Sequence, residues 1–172
     1  ALGHYFSLEN RSHLESIQRQ FLPTLEASRD LEDLLEKIQR GLHDAAAAEN
    51  PDGVRATEPL QAEFLAKIDV LEANGLRSPE ELGNLRSSFT EYYRLAGQTT
   101  SKLIADGMSD TLLPELAHMT ERYNAIHAAL RRATDRDRHQ MATAFRSAIG
   151  ANEQSSAWNA ILSVSLTVIL FA

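Results

Sequence analysis

The chain has 172 residues, enough for a single domain, and its 43% hydrophobic and 24% charged residues are typical of a globular protein. Its 6% aromatic residues, eight Gly and five Pro provide too few turn signals for an all-β sandwich or barrel. The formal charge of −7 argues against a nucleic-acid partner, and the absence of Cys excludes disulfides, Cys-ligated zinc and cysteine nucleophiles.

The first segment predicts one long helix that extends to about Glu49. Pro23 lies inside this helix and is expected to kink it. The sequence Asn50-Pro51-Asp52-Gly53 then predicts a turn. The residues of the predicted inner face are spaced by three and four, and they are Leu14, Ile17, Phe21, Thr24, Ser28, Leu31, Leu35, Ile38, Leu42 and Ala45.

Two further helices are expected next along the chain. The second begins near Thr57 and ends before Gly75, a residue suited to a left-handed cap. The third begins at Ser78, which starts a capping box with Pro79 at the first helical position, and it ends at Asp106.

The fourth helix is expected to begin near Ser109 and to continue towards the C-terminus without a strong breaker. The stretch from Arg131 to Gln140 has almost no apolar face and is expected opposite residues 20–29, the least hydrophobic part of the first helix's inner face. We expect it to be solvated, because the short second and third helices do not reach that far; a flexible or anion-binding zone that relays motion is the alternative. Short connections make successive helices antiparallel. The sequence therefore predicts an all-α protein, an up-down-up-down four-helix bundle with long first and fourth helices.

The C-terminal segment differs from the rest in composition. The last charged residue is Glu153, and residues 154–172 are uncharged and mostly apolar, close to the ~20 residues that a membrane span needs. Trp158 suits the membrane interface. We expect residues 1–153 to form the bundle domain and residues 154–172 to begin a truncated transmembrane helix; a buried C-terminal helix or strand is the alternative. The chain begins without Met, which indicates a fragment or a processed form.

Long outer helices, shorter inner ones and a span leaving the last helix resemble the periplasmic four-helix-bundle sensor domains of bacterial transmembrane receptors. The sequences FTEYYRLA at residues 89–96 and LIADG at residues 103–107 are similar to a segment of kinase- and cyclase-linked sensors. The resemblance implies a periplasmic signal-transduction domain of an inner-membrane receptor, with histidine kinase or diguanylate cyclase output favoured over a chemoreceptor. The alternative is a membrane-anchored helical protein-interaction domain without a small-molecule ligand.

Enzymatic activity is not expected from the motifs. A di-iron bundle needs two Glu-x-x-His units plus two more Glu residues, and only Glu115 to His118 fits that spacing. A single match is expected by chance among 24 acidic residues and six His. The sequence also lacks a phosphate-binding loop, a nucleophile elbow and a zinc motif. We therefore predict no catalytic residue, no metal site and no cofactor.

A layer of polar aromatic residues predicts a ligand site. If the third and fourth helices are antiparallel and meet near residue 107, seven polar residues lie at one height, facing 35–38 of the first helix. Buried Tyr and His need hydrogen-bond partners, and Arg matches carboxylates, so the layer suits a small anionic ligand. Core tyrosines with no ligand are the alternative. The predicted ligand-binding residues are Tyr92, Tyr93, Arg94, Arg122, Tyr123, Asn124 and His127.

Apolar residues outside the reach of the inner helices predict a homodimer. They are Leu14, Ile17, Met141, Phe145 and Ala148, on the first and fourth helices. Two helices alone make a poor core, so we expect a second copy of the chain to cover them in a parallel arrangement.

Overall fold

The computed structural model describes the backbone of residues 21–170 and the side chains of residues 21–146. Over these residues the secondary structure is helical and contains no strand. The helices are α1 (Leu22–Ala47), α2 (Pro51–Arg55), α3 (Glu58–Asn74), α4 (Pro79–Asp106) and α5 (Leu112–Leu170). The predicted all-α bundle is confirmed: the four expected helices are α1, α3, α4 and α5.

The chain divides into two compact units. Residues 24–136 form the first, here called the bundle unit; it includes α1 from Thr24 onward, α2, α3, α4 and the first part of α5. Residues 21–23 and 137–170 are the described part of the second unit. Helix α5 is continuous for 59 residues and contributes to both units.

Side-chain pairs establish that neighbouring helices of the bundle unit are antiparallel. Along α4 and α5, the residue number on one helix rises as that of its partner falls. The same holds for α1. Its pairs with α5 are Glu36–His127 and Glu32–Thr134, and its pairs with α3 are Asp30–Lys67 and Thr24–Asn74. The ion pairs between α4 and α5 are Glu81–Arg136, Glu91–Arg122 and Lys102–Glu115.

The predicted turn after α1 is in fact the start of the short helix α2. The Oδ1 atom of Asn50 accepts a hydrogen bond from the Asp52 backbone N–H at 3.0 Å, and Pro51 is the first helical residue. Asn and Pro favour helix starts as well as turns, so the sequence signal fits both. A Cβ atom on Gly53 would lie 2.8 Å from the Cβ atom of Ala45, so glycine permits the close approach of α2 to α1.

The predicted end of α3 and the predicted start of α4 are confirmed. Gly75 ends α3 in the left-handed region at φ 67°. The Ser78 hydroxyl accepts a hydrogen bond from the Glu81 backbone N–H at 3.1 Å, and Pro79 is the first residue of α4. These two caps define a short loop between α3 and α4.

An apolar core joins α1, α3, α4 and α5 in the bundle unit. Its centre is a stacked pair, Phe64 of α3 and Phe89 of α4, whose ring centroids are 3.6 Å apart and whose side chains are fully buried. Leu31, Leu35 and Ile38 of α1 are likewise fully buried. Since burying one such side chain stabilises a fold by about 1.5–3 kcal/mol, this cluster fixes the positions of the four helices.

The expectation that the inner helices do not reach the polar end of the α1 face is wrong. Arg77, in the loop between α3 and α4, is buried, and its Nη2 atom donates to the Ser28 hydroxyl at 2.6 Å. The Asn74 amide nitrogen of α3 lies 3.4 Å from the Thr24 hydroxyl. Polar side chains from the α3–α4 loop and the end of α3 thus cover Thr24 and Ser28.

The charged stretch from Arg131 to Gln140 is only partly solvated. Ala133 and Thr134 are buried in the bundle unit, and the Thr134 hydroxyl donates to the Glu32 carboxylate of α1. Asp137, in the second unit, is also buried. The stretch therefore has a buried face, made of small and polar side chains instead of large apolar ones.

Several predictions concern residues outside the described part of the chain. These include the first 20 residues, with Leu14 and Ile17, and the side chains beyond Arg146, with Ala148 and the expected membrane segment 154–172. Pro23 is the second residue of α1, so the predicted kink would lie in the part of the helix before it, which is outside the described residues. Within the described residues, no helix is long and apolar enough to cross a bilayer.

Candidate functional site

A cleft of about 510 Å³ opens between α1, α4 and α5 in the bundle unit; we call it the tyrosine cleft. Its volume lies within the range of small-molecule sites, about 300–1,000 Å³. Tyr92 and Tyr123, both in the predicted layer, line it. The complete lining is Glu36, Gln39, Arg40, Leu42, His43, Ala46, Tyr92, Thr100, Leu103, Leu116, Met119, Thr120 and Tyr123.

Tyr92 is the most deeply placed polar aromatic residue of this cleft. Its side chain is 1% exposed, and among the described residues its hydroxyl has no hydrogen-bond partner. Burial, and to a smaller extent Tyr123, raise the pKa of Tyr92 well above its usual range. The phenol is therefore neutral at physiological pH and has a hydrogen bond to donate to a group in the cleft.

Tyr123 and His127 form an aromatic stack on α5 with centroids 5.7 Å apart. The Tyr123 ring also lies 6.0 Å from the ring of Tyr92. Burial raises the pKa of Tyr123, with a further contribution from the negative charge of Glu36. The Nε2 atom of His127 is 3.6 Å from the Glu36 carboxylate of α1. The structure thus brings Tyr92, Tyr123 and His127 together at one height, facing the expected part of α1.

The other four predicted residues point elsewhere. The Tyr93 hydroxyl lies 2.9 Å from the Thr57 hydroxyl, on the side of α4 that faces α2 and α3. Arg94 is exposed and donates to Gln98 one turn later, and Asn124 is also exposed. Arg122 is ion-paired with Glu91 at 2.7 Å and lines a different cleft. Equal height on a helix does not imply a common direction.

The sequence placed residues 35–38 of α1 opposite the predicted layer, but it did not single out the α1 side chains that line the tyrosine cleft. Glu36, Arg40 and His43 line it and lie three or four residues apart, so they share one face of α1. Arg40 and His43 are exposed and have no ion pair within the described residues. Their spacing was the available signal, but the same spacing is common on solvated helix faces. Arg40 provides the guanidinium that was expected from Arg94 or Arg122.

A second cleft, of about 580 Å³, lies between α4 and α5; we call it the arginine cleft. Ala125, Ala129 and Ala133 recur every four residues along α5, and their short side chains leave space opposite Leu85 and Ser88 of α4. The lining of this cleft includes four arginines, Arg77, Arg122, Arg132 and Arg136, and two glutamates, Glu80 and Glu81.

Glu115 and His118, the one match to a di-iron motif, bind other side chains in the structure. The Glu115 carboxylate accepts hydrogen bonds from Lys102 of α4, and His118 is exposed with its Nδ1 atom 3.7 Å from Glu121. Across the described residues, no group of three His, Asp or Glu side chains is arranged to hold a metal ion.

Comparisons of the chain with protein families, with curated proteins and with solved structures gave no match.

Proposed function

We propose that the chain is the extracytoplasmic ligand-sensing domain of a bacterial transmembrane signalling receptor. The observation that carries the proposal is helix α5. It lines the tyrosine cleft near its start, continues without a break to Leu170, and so extends into the uncharged segment 154–172. A change in α5 at the cleft has a covalent helical path to that segment.

In this proposal a small ligand with a carboxylate or another hydrogen-bond acceptor occupies the tyrosine cleft. The Tyr92 phenol donates one hydrogen bond, and the guanidinium of Arg40 favours a negative charge on the ligand. Leu103, Leu116 and Met119 provide apolar contacts for the rest of the ligand. Because these groups come from three helices, occupancy of the cleft favours one packing of α5 against α1 and α4.

The mechanism follows from the length of α5. A ligand that binds one packing better shifts the balance between two packings by its difference in affinity. A helix shift of about 1–2 Å, or a small rotation, is the usual size of such a change. We place the bundle unit in the periplasm, the segment 154–172 in the inner membrane, and a histidine kinase or cyclase output beyond the chain.

Homodimerisation belongs to the same proposal. Phe145 of α5, in the second unit, is 42% exposed, and Met141 one turn earlier is half-buried. A second copy of the chain packed along this part of α5 would cover both side chains. Leu113, which is 53% exposed at the start of α5, provides a matched apolar position outside this surface.

Thermal denaturation with a library of small carboxylates tests the ligand-sensing part. A compound present at 100 times its Kd stabilises the folded chain by about 2.7 kcal/mol if it binds only the folded state. We expect a stabilising compound whose effect is reduced in Tyr92→Phe and Arg40→Gln. Arg94→Gln is the matched control, because Arg94 is exposed and lines neither cleft. Equal stabilisation of all three variants would place the ligand outside the tyrosine cleft. The absence of any stabilising carboxylate would favour a protein-interaction domain without a small ligand.

A further inference from the structure

We propose that the arginine cleft binds an organic carboxylate with an apolar body, independently of the tyrosine cleft and of the proposed receptor function. The first observation is the composition of the cleft wall. Its sides are Leu85 of α4 and Ile126 and Leu130 of α5, separated by the gap that the alanine side chains leave. Such a wall favours an apolar ligand body over a fully hydrated ion.

The second observation is how the arginines of the cleft are distributed. Arg136 is bonded to Glu81 at one end, and Arg122 is bonded to Glu91 towards the other end. Arg132 lies between them on the same face of α5, and within the described residues it has no ion pair. Its guanidinium is therefore available to a carboxylate.

The charges at the Arg132 end favour an anion. Arg136 follows Arg132 by one helical turn and is bonded to Glu81, whereas within the described residues Arg132 is bonded to neither Glu81 nor Glu80. Arg77, at the same end, is held by its hydrogen bond to Ser28, so it forms part of the wall. A ligand carboxylate can bond Arg132 directly and share Arg136 with Glu81, without breaking the α4–α5 ion pair.

The opposite end of the cleft suits the apolar body. Arg122 and Arg132 are ten residues apart, which corresponds to about 15 Å along α5. Between them, Ala125 and Ala129 face Leu85 and Ser88 and leave no charged group in the space. A short alkyl or aromatic body attached to a carboxylate at Arg132 fills this length.

Isothermal titration of the full chain with octanoate tests the proposal. We expect binding to the wild type, about tenfold weaker binding in Arg132→Gln, and at least about tenfold weaker binding of acetate, which lacks the body. Ala129→Trp should abolish binding by filling the cleft; Ala129 is exposed, so the larger side chain can be accommodated without unfolding the helix. Arg94→Gln removes the same charge outside the cleft and should change the Kd by less than about twofold.

Tyr92→Phe separates the two clefts. If octanoate occupies the arginine cleft, this substitution leaves its Kd unchanged, because Tyr92 lines only the tyrosine cleft. The proposal is overturned if octanoate does not bind the wild type at millimolar concentration, or if it binds Arg132→Gln and Ala129→Trp as well as the wild type. Loss of binding in Tyr92→Phe alone would also overturn it. A failure of this kind leaves the receptor proposal intact, since that rests on α5 and the tyrosine cleft.

Discussion

Tyr92 and Tyr93 are adjacent on α4, but their hydroxyls have different surroundings, and replacing each by Phe measures the difference. The Thr57 hydroxyl donates to the Val54 carbonyl at 2.7 Å, so the Tyr93 hydroxyl is the donor in its 2.9 Å contact with Thr57. The Tyr92 hydroxyl has no partner among the described residues, although the residue is almost fully buried.

The two substitutions, Tyr93→Phe and Tyr92→Phe, should therefore change the free energy of unfolding by different amounts. A net hydrogen bond contributes about 0.5–1.5 kcal/mol, so Tyr93→Phe should destabilise the fold by about 1 kcal/mol. Tyr92→Phe removes a hydroxyl that faces the tyrosine cleft and has no protein partner, so it should change stability by less than about 0.5 kcal/mol. Both substitutions preserve the ring and its packing.

Urea denaturation followed by circular dichroism, with matched m-values for the variants, gives both numbers. A Thr57→Val, Tyr93→Phe double-mutant cycle isolates the Tyr93 bond, and we expect a coupling of about 1 kcal/mol. If Tyr92→Phe destabilises the fold by more than about 1 kcal/mol, its hydroxyl has a structural partner. The assignment of that hydroxyl to a ligand would then be wrong.

Three further predictions follow from the core, the tyrosines and the second unit. Phe89→Ala should destabilise the chain by about 3–5 kcal/mol, because Phe89 is fully buried against Phe64. In the same urea assay, Leu113→Ala at an exposed position should destabilise it by less than about 0.5 kcal/mol. The pKa values of Tyr92 and Tyr123 are raised from the ordinary value of 10.0, so these phenols lose their protons first in the unfolded state. Their contribution to stability should therefore be constant below pH 10 and be lost as the pH rises above it. Denaturation at successive pH values should show a smaller fall above pH 10 in Tyr92→Phe than in the wild type. Phe145→Glu should weaken self-association in sedimentation equilibrium, and Leu113→Glu should not; equal association of both variants with the wild type would remove Phe145 from the proposed dimer contact.

The ends of the helices, and which residues lie at the same level along the bundle axis, could be predicted from the sequence because they depend on local chemistry. Ser78, Pro79 and Gly75 each favour one backbone geometry, and they end or begin helices where expected. Short loops then set the antiparallel pairing, which places Tyr92 beside Tyr123 and His127 beside Glu36.

The direction in which each side chain points around its helix axis could not be predicted in the same way. Each residue turns the side chain by about 100°, so Tyr92 and Tyr93, at nearly equal height, face different neighbours. The same rotation separates Arg122 from Tyr123 and puts them in different clefts. The absolute rotation of a helix depends on how its whole face packs, which the heights of a few residues do not determine.

Two other differences came from the connections between the long helices. Arg77 lies in a loop, so no helical periodicity could indicate that it would cover Ser28 of α1. The sequence from Asn50 to Gly53 signals a change of direction, but whether it forms a turn or a short capped helix depends on the contact of Gly53 with Ala45.

The central claim, that α5 transmits a signal from the bundle unit, is tested most directly by changing its helical phase. In a chimeric receptor, residues 1–172 would stand between an added N-terminal span and a histidine-kinase output module, with alanines inserted after Gln140, an exposed residue of α5. Two alanines rotate everything beyond by about 200°, whereas seven rotate it by nearly two full turns and restore the phase. We predict that basal autophosphorylation changes strongly with two alanines and stays close to the parent level with seven. Equal autophosphorylation in the parent and both insertion variants would contradict the account.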